Sequence, residues 1–196
     1  GSSDLMLQMD IEGFEYENAW SNSTVYQPGD VVSYGGNQYV AKVYHTGSTN
    51  PSTDTTNFAL FGKGFDFQNN WSNATDYKIG QVVAVKGQSY VAIVDSPSND
   101  FTITASSNST NKFTTASTTG MAVGMSIYFS GATYGNVNEG ATYYVKTVDD
   151  ATTFTISIAH GGTVFTPTLG TGSMTARVAA HPIEPNYWSK LSSGFY

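Results

Sequence analysis

The sequence predicts an all-β protein with two small three-stranded aromatic β-modules in tandem, the second interrupted by an inserted small β-sandwich or barrel domain. Three observations support this fold class. One aromatic segment occurs twice, each copy is followed by paired strand-like runs with Gly-rich turns, and a long Thr-rich region separates the second copy from its closing aromatic. No stretch carries an apolar stripe with the helical period.

The repeat has a constant offset along the chain. Residues 20–26 read WSNSTVY and residues 71–77 read WSNATDY, which gives an offset of 71 − 20 = 51 residues. The register continues without a gap through the later Gly, the Val-Val pair and the Tyr-Val-Ala triplet of each copy. An ungapped match in aromatic, Gly and β-branched positions indicates two copies of one structural unit.

Each copy contains a β-hairpin that needs further core residues. Alternating residues around a short Gly-containing turn predict two pairs of strands, at residues 30–34 and 38–44 and at residues 81–85 and 89–94. Because an isolated hairpin is marginal in water, the preceding Trp and Tyr and a later aromatic must complete the core. That aromatic is Phe58 in the first copy and Trp188 in the second.

The interruption of the second copy defines the domain organisation. Six Thr-rich strands separated by Gly and Asn turns are predicted at residues 101–105, 112–115, 126–129, 142–147, 153–158 and 173–178. We therefore expect four segments: 1–17 as a linker or the end of a preceding domain, 18–65 as the first repeat, 66–97 plus 180–196 as the second repeat, and 98–179 as the inserted β-domain.

Charge and motifs exclude several classes of function. Lys plus Arg is 8 and Asp plus Glu is 15, so the net charge of −7 disfavours nucleic acid and anionic membranes as partners. No apolar run is long enough for membrane insertion, and there is no Cys. The three His lack metal-ligand spacing and no catalytic motif occurs, so we expect no metal, no cofactor and no enzymatic activity. The Asp149-Asp150 pair is expected to cap a hairpin turn.

The residues resemble two known groups of proteins. The order of motifs in the repeats resembles the carbohydrate-binding modules of families 5 and 12, which are attached to chitinases and cellulases. These motifs are Trp, Tyr, Gly-Asp-Val-Val, Gly and Tyr-Val-Ala, followed by Pro and Tyr-Trp-x-x-Leu. Phe58 stands where a Trp is usual in that family. The insert, with FTITA at 101–105 and YYVKT at 143–147, resembles Thr/Ser-rich repeats of cyanophage and related marine tailed-phage virion proteins.

These resemblances favour two functions, and a third, a remnant of a polysaccharide-degrading enzyme, requires a catalytic domain outside this sequence. The first is a non-catalytic virion structural or appendage protein, in a tail fibre, baseplate or capsid decoration, that mediates assembly with other virion proteins on the extracellular surface. The alternative is a glycan-binding adhesin that recognises host cell-surface polysaccharide, for which a secreted location also fits. Because appendages are commonly symmetric, we expect a homo-oligomer such as a trimer.

A glycan site needs exposed aromatic faces. The candidate contacts are Tyr187, Trp188 and Tyr44. In an extended segment, one of the adjacent residues Tyr187 and Trp188 would be buried and the other exposed. The aromatics that recur in both copies instead fit a repeated core: Trp20, Trp71, Tyr26, Tyr77, Tyr39 and Tyr90. Full burial of every Trp and Tyr side chain would contradict the adhesin hypothesis.

Overall fold

A computed structural model describes residues 14–191. The predicted all-β class is confirmed, since every regular element in this part of the chain is a strand. Consequently the described residues include no helix of the length and apolarity that a bilayer crossing requires. The chain divides into two compact units. Within the described residues, the first comprises residues 14–69, 77–95 and 190–191, and the second comprises Asn70–Asp76 and Ser96–Ser189.

The strands fall into three groups. The first repeat contains β1 (Glu15–Ala19), β2 (Val25–Tyr26), β3 (Asp30–Tyr34), β4 (Asn37–Ala41), β5 (His45–Thr46) and β6 (Phe58–Gly62). The second contains β7 (Asp66–Asn70), β8 (Gln81–Val85) and β9 (Gln88–Ala92), with β16 (Trp188–Lys190) far along the chain. The insert contains β10 (Ser98–Ser107), β11 (Lys112–Thr115), β12 (Ser126–Gly131), β13 (Thr142–Val148), β14 (Thr153–Ser157) and β15 (Gly170–Ala179).

Each repeat forms its own four-stranded sheet, and the two sheets have the same topology. The strand order is β1-β3-β4-β6 in the first and β16-β9-β8-β7 in the second, so each predicted three-stranded sheet carries one additional strand. The order shows the same topology in both, because β7 and β16 occupy the places of β1 and β6. A separate two-stranded ladder in the first repeat joins β2 to β5.

The additional strand corrects the linker expected at residues 1–17. Glu15–Ala19 form β1, which pairs in parallel with β3, whereas residues 1–13 lie outside the described residues. The Glu15 N–H donates to the Gly29 carbonyl at 3.0 Å, and, with the repeat offset, the Asp66 N–H donates to the Gly80 carbonyl at 3.0 Å. Both glycines have a positive φ, which explains their recurrence. The structural repeat therefore begins at β1, earlier than the Trp at which the sequence match is clearest.

The core of the first module consists of aromatic and β-branched side chains from its sheet and its short ladder. Tyr26 is buried, and its hydroxyl accepts from the Ser21 N–H at 2.8 Å and donates to the Ser21 carbonyl at 3.1 Å. Trp20 packs edge-on against Tyr34, with ring centroids 5.9 Å apart. Of the recurring aromatics expected in the core, Tyr26, Tyr39 and Tyr77 are buried and Trp20, Trp71 and Tyr90 are half-buried.

Within the first unit, the hairpin of the first module lies directly against the turn of the second. The Gly36 N–H donates to the Ile79 carbonyl at 3.0 Å. A Cβ atom added at Gly36 would lie 2.4 Å from the Gly80 carbonyl oxygen, closer than real Cβ contacts come. The two backbones are therefore in direct contact, and only glycine fits at position 36.

Replacing Gly36 by Ala should destabilise the first unit, since the added methyl group has no room. We expect a loss of about 1–3 kcal/mol in the free energy of unfolding, as for other overpacked sites. Urea unfolding measures it. Gly62→Ala is the matched control, because a Cβ atom there meets nothing within 4 Å. An equal effect of the two substitutions would contradict the close contact at Gly36.

The insert is a closed six-stranded barrel in the order β10-β11-β14-β13-β12-β15. All six strands predicted for the insert are present, so the sandwich-or-barrel alternative resolves as a barrel. Closure leaves no free sheet edge. Alternate residues point inward, as Met174, Ala176 and Val178 of β15 show by their burial. Phe113 packs against Phe129 at 5.4 Å and against Phe154 at 5.8 Å, which forms an aromatic core.

Asp150 caps the turn between β13 and β14, as the sequence predicts. Its carboxylate accepts hydrogen bonds from the backbone N–H and the hydroxyl of both Thr152 and Thr153, at 2.7–3.0 Å. The hydroxyl bond from Thr153, followed by the bonds from Thr152, lowers the pKa of Asp150 from 3.8 to about 2. The ionised carboxylate thus orders this turn.

The stabilisation from Asp150 should depend on pH. Because its pKa is lower in the folded state, the contribution is complete above pH 3.8 and is lost as the pH falls through about 2. Asp150→Ala should therefore lower the Tm near neutral pH, and the difference from the unmodified protein should shrink toward pH 2. Thermal unfolding followed by circular dichroism measures this, with Asp149→Ala as control. A difference in Tm that is constant across this range would contradict the capping role.

Candidate functional site

Tyr44 is the most exposed of the three candidate aromatics. Its side chain is 64 % exposed, and it lies between β4 and β5 in the first module. The neighbouring Val43 and Val25 are also exposed, at about half of their surface or less. We use the name Tyr44 face for the exposed apolar residues of the β2–β5 region, which are Val25, Val43 and Tyr44.

The alternation of the β2–β5 ladder explains the exposure of Val25 and Thr46. Tyr26 pairs with His45, and Val25 pairs with Thr46. Tyr26 is buried and His45 half-buried, whereas Val25 and Thr46 are exposed. Because successive side chains of a strand point to opposite sides, burial of the Tyr26–His45 pair directs its neighbours to solvent.

The segment that carries Tyr44 is anchored on both sides. The His45 ring lies edge-on to Phe58 with centroids 4.7 Å apart, and its Nδ1–H donates to the Val43 carbonyl at 2.9 Å. On the other side, the Lys42 N–H donates to the Asn57 carbonyl at 2.7 Å. Tyr44 is therefore presented by a fixed backbone, although its own ring is largely in solvent.

An exposed tyrosine flanked by small apolar side chains can bind the flat face of a sugar ring. The aromatic face packs against the C–H groups of a pyranose, and the hydroxyl supplies a donor and an acceptor at the rim. An anchored backbone reduces the conformational entropy lost on binding. Such a surface is suited to binding, and it offers no group that is placed for bond cleavage.

The second module lacks this face. The position that corresponds to Tyr44 holds Asp95, since 95 − 44 = 51. The Asp95 carboxylate accepts from the Tyr34 hydroxyl at 2.8 Å and from the Ile79 N–H at 3.0 Å, within the first unit. Burial, the hydrogen bond to Asp95 and the negative charge of Asp95 raise the pKa of Tyr34. The residue at this position thus stabilises the unit instead of facing solvent.

The adjacent aromatics of the second module differ in exposure. Trp188 is 2 % exposed, and its indole N–H donates to the Ala180 carbonyl at 3.0 Å. Phe58, its counterpart in the first repeat, is also 2 % exposed. Tyr187 is half-buried. Glycan contact by Tyr187, Trp188 and Tyr44 stays a prediction, and of the three the exposure favours Tyr44.

Further exposed aromatics lie on or next to the strands that sequence reasoning missed. Tyr16 lies on β1 and Phe67 on β7, and Phe14 and Phe65 directly precede these strands. All four have about half or more of their surface exposed. The 51-residue offset relates these two pairs and could have revealed them. Sequence reasoning missed them because it aligned the two repeats only from Trp20 and Trp71 onward.

One acidic cluster also lies in the first module. Carboxylate oxygens of Glu15, Glu17 and Asp30 lie within 4.8 Å of one another, a spacing that could hold a metal ion. The Asp30 carboxylate already accepts from the Gln27 N–H at 2.7 Å, in the turn before β3. Exposed acidic groups are often close together without an ion, so the cluster by itself assigns no metal site.

Comparison with known proteins identifies part of the first module. The family model for carbohydrate-binding module family 5/12 matches residues 19–61. This confirms the family resemblance for that region, which contains β2 to β5 and nearly all of β6. Modules of this family are non-catalytic binding modules. No curated protein matches the chain. The resemblance of the insert to marine tailed-phage virion repeats stays a prediction.

Trp188 should act on stability, since its ring is buried. Trp188→Ala should lower the free energy of unfolding by about 3–5 kcal/mol, as for other large-to-small core substitutions. Trp188→Phe places the residue of the first repeat at this position and should retain most of the stability. Urea unfolding measures both variants. Loss of polysaccharide binding in a stably folded Trp188→Phe protein would instead show that the indole contacts the ligand.

Proposed function

We propose that this chain is a non-catalytic glycan-binding protein whose first module binds polysaccharide through the Tyr44 face. The observation that carries the proposal is the position of Tyr44. The most exposed of the predicted contacts lies inside residues 19–61, the region that matches a family of carbohydrate-binding modules. The absence of catalysis in the chain as a whole is part of the proposal.

Charge narrows the class of polysaccharide. The chain has a net charge of −7, and the Tyr44 face consists of uncharged side chains. Repulsion disfavours acidic polymers, and a flat apolar face suits neutral β-linked polymers whose pyranose rings expose C–H surfaces. Chitin and cellulose have this chemistry. A host surface polysaccharide of the same kind would make the protein an adhesin.

An assembly role is the second candidate function. Exposed aromatic rings occur in two close pairs, Phe14 with Phe61 at 5.3 Å and Phe65 with Phe67 at 6.2 Å between centroids. Clustered exposed apolar side chains mark interaction surfaces. This observation favours contact with other proteins or with further copies of this chain. Such contacts would fit a virion appendage with other virion proteins as partners, or a homo-oligomer. The extracellular location, on a virion or as a secreted protein, is a proposal of the same kind.

Tyr44→Ala should weaken polysaccharide binding at least tenfold, because it removes the aromatic face and leaves the core intact. The measurement is co-sedimentation of the full chain with insoluble chitin and with cellulose, fitted as a binding isotherm. A tenfold loss corresponds to about 1.4 kcal/mol of binding free energy.

Phe67→Ala is the matched control, since Phe67 is another strongly exposed aromatic, outside the matched region. It should leave the isotherm unchanged. Equal binding by Tyr44→Ala and the unmodified chain would contradict the proposed site. A folded chain that binds neither polymer nor any neutral glycan would contradict the proposed function and favour the assembly role.

A further inference from the structure

The second unit contains an open cleft that the Tyr44 face does not explain. Its volume is about 550 Å³, within the range of roughly 300–1,000 Å³ typical of small-molecule sites. One wall is the turn at residues 71–74, and the other comes from the barrel. Its lining includes the side chains of Trp71, Asn73, Tyr128, Glu139 and Arg177.

Comparison of the two repeats shows that the insert creates this cleft. Asn22 is exposed in the first repeat, whereas its counterpart Asn73 is only 8 % exposed. The Asn73 amide donates to the Ser126 hydroxyl at 2.8 Å, and that hydroxyl donates to the Ala179 carbonyl at 3.0 Å. The turn of the second repeat is thus fixed to strands of the barrel, and a concave surface results where the first repeat has an open one.

Two aromatic rings of the cleft are partly accessible and held in place. Trp71 is half-buried and lies edge-on to His181, with centroids 4.8 Å apart. Tyr128 is half-buried, and its hydroxyl accepts from the Thr142 hydroxyl at 2.9 Å. Fixed aromatic faces in a cleft are what stacking against a sugar ring requires, with little entropy lost on binding.

The polar groups of the cleft are unevenly satisfied. The Asn73 Oδ1 is buried and has no hydrogen-bond partner, although the exposed Asn22 is under no such constraint. The Trp71 Nε1 is also buried and unpaired, a property that it shares with Trp20 of the first repeat. A buried polar atom without a partner costs free energy, so a ligand hydroxyl that reached Asn73 would recover it.

The charged groups of the cleft do not favour an anionic ligand. Glu139 is exposed, and its carboxylate accepts only a long hydrogen bond of 3.5 Å from the Gly131 N–H. Arg177 makes two hydrogen bonds, of 2.8 and 3.0 Å, with Asp100, and the bond to Arg177 lowers the pKa of Asp100. A guanidinium that is already paired and a single free carboxylate do not favour an anionic ligand. The Glu139 carboxylate and the remaining N–H groups of Arg177 can instead accept from and donate to the hydroxyls of a neutral ligand.

We propose that this cleft is a second glycan-binding site, which takes a short neutral oligosaccharide. Trp71 and Tyr128 would hold the sugar rings, and Glu139 and Asn73 would accept hydrogen bonds from hydroxyls. The proposal goes beyond the Tyr44 face, because it uses residues of the second repeat and the insert. It gives the insert a role in binding, and it stands or falls independently of the first module.

The test removes the Tyr44 face first. Isothermal titration calorimetry of the full-length Tyr44→Ala chain uses soluble cello-, chito-, xylo- and mannohexaose as probes. We expect saturable binding of at least one probe in this variant. Adding Tyr128→Ala to this variant should weaken that binding at least tenfold. Adding Glu139→Gln instead should also weaken it, because a hydrogen-bond acceptor is lost while both aromatic rings are kept.

Three controls keep this result interpretable. Leu169→Ala changes a strongly exposed side chain of the same unit that does not line the cleft, and it should leave the binding constant unchanged. Circular dichroism and unfolding curves establish that each variant is folded. Tyr128→Phe keeps the ring and should bind as Tyr44→Ala does or slightly more weakly.

The outcomes separate the two proposals. If the unmodified chain binds oligosaccharide and Tyr44→Ala binds none, the cleft proposal is wrong and the Tyr44 proposal stands. If Tyr44→Ala binds as strongly as the unmodified chain and Tyr128→Ala abolishes binding, the cleft is the glycan site and the Tyr44 proposal is wrong. Binding in Tyr44→Ala that neither Tyr128→Ala nor Glu139→Gln reduces also contradicts the cleft proposal.

Discussion

Three packed rings in the first module stabilise it and determine which of its side chains face solvent. Tyr26, His45 and Phe58 lie with centroids 4.7–5.6 Å apart, under a sheet too small to form a core from its aliphatic residues alone. Because Tyr26 and His45 point toward the core, the opposite side of the β2–β5 ladder faces solvent. Because His45 also holds the Val43 carbonyl, Tyr44 points outward as a direct consequence of how the core packs.

The two repeats keep one backbone and use it differently. The hydrogen bonds around Gly29 recur around Gly80, so the local structure is the same. At the position of Tyr44, however, the second repeat has Asp95, which binds Tyr34 and Ile79. One copy thus presents an aromatic to solvent, and the other uses the same place to hold the first unit together. An exposed position changes its role more easily than a buried one, because no packing constrains it.

The sequence predicted what local chemistry determines and missed what depends on long-range pairing. The six barrel strands follow from period-two alternation between Gly and Asn turns, and all six are present. Strand β1 was missed because a parallel edge strand of exposed residues has no buried face to produce a pattern. The burial of Trp188 could have been inferred, since the repeat aligns it with Phe58. The fixing of Asn73 to Ser126 could not, because residues 53 apart carry no mutual signal in one sequence.

Nuclear magnetic resonance of the tyrosine rings tests the central claim most directly. The full chain would carry ¹³C-labelled tyrosine, with the Tyr44 signals assigned through a Tyr44→Phe spectrum, and would be titrated with soluble chitohexaose and cellohexaose. The account predicts saturable shifts of the Tyr44 ring signals, while those of the buried Tyr26 and Tyr39 stay in place. Tyr44 signals that do not move at oligosaccharide concentrations that saturate binding would contradict it.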